Sequence, residues 1–305
     1  MDQDTTLNKN RIIILVAIFF IVFFIGSSLF SKKSSKLQEI KVVLDYSETL
    51  QKIEAKSFYV YDILNQKALF SKDEYLGLPL ASITKLMSGF IILDMLPRTT
   101  IVTINMKDIL QEGDSGLVVG EKWKLKPLLD FSLISSSNDG IHALSRTLDE
   151  YEQTNNKETV QLMNDGAEKI GLKNTTFINV TGLDIDSFVS GAYSSSRDVA
   201  ILLENILRSD PSVITNTKNQ SASFVSESGI HHVVTNTNIS INDIPDIIAS
   251  KTGFTDLAGG NLAVIFDAGF SHPVAIVVLG SSEKGRFTDV ENLVRISLEK
   301  LSNSD

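Results

Sequence analysis

PLASITKLMSGFIILDMLP, residues 79–97, leaves a proline-containing loop, becomes an apolar helix and stops at Pro97. Within it Ser82 and Lys85 stand three residues apart, a spacing that places both on one face of a helix and lets the amine reach the hydroxyl. A helix start also offers free backbone N–H groups and a positive dipole end to any oxyanion formed there. Taken alone, the stretch reads better as a helix cap beside a solvated lysine, because Ser281-Ser282-Glu283-Lys284 repeats the pattern in a loop.

Two further motifs lie downstream. Ser136-Ser137-Asn138, 54 residues on, falls between two helical runs and offers a hydroxyl and an amide from a tight turn. It is also a common capping pattern, which Ser240-Ile241-Asn242 matches. Lys251-Thr252-Gly253, 115 residues further, ends an apolar strand ahead of Phe254 and Thr255. A cation, a hydroxyl and a residue without a side chain suit an extended anionic ligand, and Gly253 lets a second backbone approach. A strand merely ending in a turn reads equally well from that motif by itself.

The surrounding chain looks like sheet at its ends and helix in its middle. SFYVYDIL and KALFSK around Asn65-Gln66 predict a hairpin. GIHHVVTNTN, DIIASKTGFT, NLAVIFDAGF and HPVAIVVLGSS predict consecutive antiparallel strands. Helical spacing marks KPLLDFSLI, DGIHALSRTLDEY, ETVQLMNDGAEKI, RDVAILLENILRS and RFTDVENLVRISLEKL. The predicted fold is therefore α/β in the α+β sense: an antiparallel sheet from both chain ends, with helices and a mostly helical lobe inserted at about 97–212.

The chain has 305 residues, a net charge of −9, 43% hydrophobic residues and no cysteine. This excludes a disordered chain, a nucleic-acid binder, a thiolate metal site and a cysteine enzyme. The charge divides unevenly, net +3 over residues 1–36 and −12 over the rest. Ile12 to Ser31 lack any charge, and as a helix 20 such residues span roughly 30 Å, a bilayer's hydrocarbon thickness. The expected organisation is an N-terminal tail (1–11), a transmembrane signal anchor (12–31), a tether (32–45) and one large domain (46–305), with basic residues on both flanks leaving the orientation open. Gly26, Ser27 and Ser28 leave a cleaved signal peptide open.

Order, interval and context of the three motifs together resemble the penicillin-recognising active-site serine enzymes, and within them the D-alanyl-D-alanine carboxypeptidases. GDSGLVVGEKW, NVTGLD, AYSSSRDVAILL, TNTN and KTGFTDLAGGNLAV agree, so the resemblance covers about Ser57 to Leu301. It implies a β-lactamase/transpeptidase-like fold and acyl transfer to Ser82, with Lys85 as general base and Ser136 relaying protons. Asn138 would orient Lys85 and the substrate amide; Lys251, Thr252 and Arg286 would bind a terminal carboxylate; the backbone N–H groups of Ser82 and Phe254 would receive the oxyanion. Gly253 belongs to the same strand motif. Depressing a lysine by roughly three pKa units costs about 4 kcal/mol, with burial and the cation of Lys251 as its expected sources. His142, His231, His232 and His272 are read as structural or surface residues.

The implied substrate is a peptidoglycan stem peptide ending in D-Ala-D-Ala, with β-lactams as covalent inhibitors and no metal or organic cofactor needed. The expected location is the bacterial cell membrane, single-pass, with the catalytic domain outside. The sequence departs from the family pattern in ASITKLMSG and in Ser250 before Lys251, and the C-terminal β-rich domain of many relatives is expected to be missing. A DD-endopeptidase, a β-lactamase and an inactive wall-binding module remain open on the same residues.

Overall fold

Period-two alternation at both ends of the chain closes them into one sheet. The structure, a computed structural model, describes residues 45–152 and 158–303. The expected tail, membrane segment and nearly all of the tether lie outside the described residues. Among the described residues no helix is long and apolar enough to cross a membrane.

Strands β1 (Ser57–Asp62) and β2 (Lys67–Lys72) form the predicted hairpin, turning through Gln66 at φ 53°. The short β3 (Leu78–Pro79) belongs to a three-stranded sheet of order β3-β7-β6, with β6 (Thr176–Phe177) and β7 (Ala192–Ser194). Two ribbons pair β4 (Ile101–Thr103) with β5 (Lys122–Lys124) and β8 (Ser221–Val225) with β9 (His231–Thr235). Finally β10 (Ile247–Thr255), β11 (Gly259–Asp267) and β12 (Pro273–Ser281) complete the main antiparallel sheet, ordered β10-β11-β12-β1-β2. The last strand thus pairs with the first, from Ser57 opposite Leu279 to Asp62 opposite Val274. One expectation changes: GIHHVVTNTN does form a strand, β9, but its partner is the unpredicted β8, so it stays out of the main sheet.

After a short α1 (Ser47–Gln51), the helices fall where spacing puts them: α2 (Lys85–Met95), α3 (Leu125–Ser135), α4 (Asn138–Tyr151), α5 (Thr159–Lys169), α6 (Ser196–Ser209) and α7 (Gly285–Ser302). Helix α1 was not marked by any pattern in the sequence. Alternation gives the main sheet two faces. Phe58, Val60, Leu262, Val264, Ile276 and Val278 pack against Val290, Leu293 and Ile296 of α7. Tyr59, Ala263, Ile265, Ala275, Val277 and Leu279 face α2 and the helical lobe. Each such side chain removed from water contributes roughly 1.5–3 kcal/mol, which holds the two layers together. Helix α6 lies against β1 and β12, so the lobe is anchored to the sheet by the helix that closes it. Strand β10 is an outer strand, and the turn leading into α2 rests against it.

Candidate active site

After Pro79 the chain tightens into a single 3-10 turn, Ala81–Thr84, before α2 begins at Lys85. With three residues per turn, positions i and i+3 eclipse, so Lys85 stands directly over Ser82. Its Nζ lies 2.6 Å from Ser82 Oγ and donates across 3.0 Å to the carbonyl of Thr181. Lys85 has no solvent exposure, and burial lowers its pKa from 10.5 to about 7. Of the two expected sources, burial acts on Lys85 and Lys251 does not. The mutual repulsion bears on Lys251, which is held well below its ordinary value by burial first, then by Lys85 and Arg286.

Ser136 ends α3 in a left-handed conformation (φ 60°), and Ser137 caps α4 by accepting from the N–H of Gly140. This break lets Ser136 reach across to the sheet: Lys251 Nζ donates to Ser136 Oγ at 2.8 Å and to its neighbour's carbonyl, Thr252 O, at 2.9 Å. Asn138 opens α4 with its Nδ2 donating to the Glu112 carbonyl at 2.6 Å, while its Oδ1 is buried without a protein partner. The expected link from Asn138 to Lys85 is absent from the hydrogen bonds of both residues; the Thr181 carbonyl takes that position.

On β10, Lys251 and Gly253 alternate onto the lobe side of the sheet. A Cβ on Gly253 would stand 2.7 Å from the Leu80 carbonyl oxygen, so the backbone that glycine admits is the protein's own turn before Ser82. Thr252 shares a 2.5 Å hydroxyl contact with Thr237. Arg286 is buried at the start of α7, donates to the Gly253 carbonyl at 2.8 Å and has its Nε without a partner. Phe254 pairs across the ladder with Gly260, and its side chain is exposed. It borders a cavity of about 460 Å³ that Glu112, Asp184 and Thr255 also line. A larger cavity, about 700 Å³, lies beside the β11–β12 turn and holds no motif residue.

Several groups that matter here were given no role by the sequence, although they lie in the matching run NVTGLD. Gly182, at φ 81°, packs so closely that a Cβ would fall 1.9 Å from the Ala81 carbonyl oxygen. Asp184 accepts from Thr255 Oγ1 and from the N–H of Leu257, tying the loop that holds Lys85 to the end of β10. The segment NVTGLD was visible as a matching run, but nothing in it announces that the Thr181 carbonyl is the group in use. Of the histidines, His142, His232 and His272 each pair with a carboxylate, of Asp108, Glu121 and Asp62. Among the described residues no cluster of three or more His, Cys, Asp or Glu is placed to hold a metal ion.

With two lysines, two serines and a glycine strand converging, the arrangement can generate an alkoxide-like nucleophile, hand on its proton and bind an anionic end. The profile of a family described as D-alanyl-D-alanine carboxypeptidase matches residues 45–283. The chain is 29% identical to D-alanyl-D-alanine carboxypeptidase DacF of Bacillus subtilis over 251 residues, 79% of this chain and 61% of that protein. It therefore spans about three fifths of the length of such curated carboxypeptidases. A D-alanyl-D-alanine endopeptidase of Pseudomonas aeruginosa is 29% identical over 256 residues, 81% of this chain and 77% of that one. Among solved structures, penicillin-binding protein D2 of Listeria monocytogenes in an ampicillin-bound form superposes with a TM-score of 0.65 at 25% identity. That superposition covers 80% of this chain and 97% of the other.

Proposed function

This chain belongs to the D-alanyl-D-alanine carboxypeptidase family, and from that premise we propose that it removes the terminal D-alanine of peptidoglycan stem peptides through a Ser82 acyl-enzyme. The observation that carries the reading is a wholly buried Lys85 amine at 2.6 Å from Ser82 Oγ, with a pKa brought to about 7. At neutral pH a large share of such an amine is uncharged, and its lone pair accepts the Ser82 proton as Oγ attacks the carbonyl between the two D-alanines. The oxyanion then forms at the backbone N–H groups of Ser82 and Phe254.

Lys251 holds Ser136 Oγ in place, and through that hydroxyl the proton passes to the departing amine of D-alanine. Thr252 and Lys251 receive the substrate carboxylate. Arg286 supports them from behind through the Gly253 carbonyl, with its charge adding to the field felt by the anion. Asn138, with its Nδ2 fixed on Glu112 and its buried Oδ1 unpartnered, accepts from a substrate N–H once the side chain turns toward the cleft. Water entering the same site hydrolyses the acyl-enzyme by the reverse proton route.

A β-lactam presents the same carbonyl and carboxylate, so it acylates Ser82 and leaves slowly. The test is incubation of the full chain, in detergent, with a fluorescent penicillin. A stable adduct on the wild type that disappears in Ser82→Ala is expected; no wild-type adduct, or one that survives the substitution, overturns the assignment. The endopeptidase named among the relatives supports a second reading, cleavage of cross-links, which product analysis on pentapeptide against cross-linked dimer separates.

For a peptidoglycan substrate the catalytic domain must lie outside the cytoplasmic membrane, held by residues 12–31 with residues 1–11 inside. A reporter active only in the cytoplasm, fused to the C-terminus, is expected to stay silent; a strong signal reverses this topology.

A further inference from the structure

Asn261 on β11 has no solvent exposure, and both its amide donors and its carbonyl oxygen are engaged by backbone groups. Its Nδ2 donates to the carbonyls of Pro79 at 2.9 Å and Leu80 at 3.1 Å, and its Oδ1 accepts from the N–H of Gly280 at 2.8 Å. That N–H is available because the β11–β12 register slips between Gly260 and Leu262, a bulge at which Gly280 takes φ 67°. Across the other neighbour, Asn261 is the ladder partner of Gly253. The same Leu80 carbonyl that Asn261 binds is the atom against which Gly253 is bare.

These contacts bracket the nucleophile. Two residues after Leu80 comes Ser82, and between them Ala81 is held at φ 47° with its carbonyl pressed on Gly182. A trans peptide points its N–H opposite its C=O, so fixing the Ala81 carbonyl aims the Ser82 N–H away from Gly182. One residue after Gly253 comes Phe254, the other oxyanion donor of the reading above. We infer that Asn261 is a positioning residue for acyl transfer: its amide clamps the Pro79–Leu80 carbonyls to the strand beside Gly253 and so sets the separation between the Ser82 and Phe254 N–H groups. Aspartate offers no donor to the two carbonyls, alanine offers nothing, and glutamine inserts a methylene where there is no free space.

The inference rests on the acyl-enzyme reading, and the experiment keeps the two apart. For the full chain in detergent, the rate of penicillin acylation is followed against concentration for wild type, Asn261→Ala, Asn261→Asp and Asn261→Gln. This yields a limiting rate constant and a half-saturating concentration for the folded, titratable fraction. The limiting constant is expected to fall ~30-fold or more in Asn261→Ala and further in Asn261→Asp, with half-saturation within about threefold of wild type. Amide exchange over residues 78–84 is expected to quicken at least about tenfold in Asn261→Ala, while Ala275–Val278 and α7 keep their protection. Limiting constants within about threefold of wild type, a loss confined to half-saturation, or a general loss of protection overturns the inference. So does failure of all three variants to fold, which makes Asn261 a folding residue. If wild type takes no penicillin, the functional reading fails, and the exchange measurement alone decides whether Asn261 positions the turn.

Discussion

The two faces of the main sheet obey the same alternation and end in opposite chemistry. On the α7 side the inward positions are Phe, Val, Leu and Ile, closed by an apolar helix face. On the lobe side the same strands carry Ala263, Ala275 and, toward the outer edge, Lys251, Gly253 and Asn261, facing a buried Lys85. The first face gains stability from every side chain it buries. The second gives some of that up: a lysine held at about 7 instead of 10.5 costs of order 5 kcal/mol at low pH. Small residues at the edge admit a second backbone in place of packing volume. The sheet is therefore a support whose far side offsets the cost of burying a lysine on its near side.

Substitutions should separate the two faces. The largest effect is expected from Lys85→Met, which removes the base and lowers the acylation rate constant by ~10³ or more. Its stability should move the other way. A group whose folded pKa lies below its unfolded value is a burden below the folded pKa, and the burden disappears as pH rises past the unfolded one. Lys85→Met is therefore expected to raise stability by about 1–4 kcal/mol at pH 6 and much less at pH 10, checked by denaturant unfolding at both. A destabilised Lys85→Met at pH 6 would break the contrast.

Next comes Gly253→Ala, whose Cβ at 2.7 Å from the Leu80 carbonyl forces the strand and the turn apart. Acylation is expected to drop ~10²-fold with a modest loss of melting temperature; a wild-type rate would mean the turn yields freely. Smaller again is the effect of pH on the unmodified protein. As Lys85 gains a proton below about 7, the acylation constant should fall roughly tenfold between pH 8 and pH 6, and a flat profile would remove Lys85 as the base. The smallest effect on rate belongs to the far face. Ile276→Val costs about 0.5–1.5 kcal/mol of stability and leaves acylation of the folded protein within about twofold.

Helices α2 to α7 and the main-sheet strands were legible because 3.6- and 2-residue spacing and a breaker such as Pro97 are local signals. Strand β9 showed its alternation but not its partner, since alternation specifies a face and not a neighbour; β8 is only five residues long, with small Ala222 on its inner side and Val225 on its exposed side, and gave too weak a pattern. Ser82, Lys85, Ser136 and Lys251 stood out as reacting residue types at fixed intervals, and the structure brings them together. Thr181, Gly182 and Asn261 did not stand out, because their work is done by or upon main-chain atoms remote in sequence. A carbonyl oxygen leaves no mark on composition. Burial was rightly expected to lower Lys85, whereas the repulsion between the two lysines falls on Lys251, a division that depends on their relative burial and that spacing does not reveal.

The pairing of β1 with β12 sets when this site can exist during synthesis. Residues 57–62 must wait for residues 274–279, and the turn at Ser82 must wait for Gly253 and Asn261. Closing so long a span is slow and late in folding. A chain still emerging from the ribosome carries its serine and its lysine but no nucleophile, since neither the buried amine nor the framed N–H groups exist until the final strands arrive. On the acyl-enzyme proposal, reactivity toward penicillin would report finished folding, and a pulse of fluorescent drug during expression would count completed molecules alone.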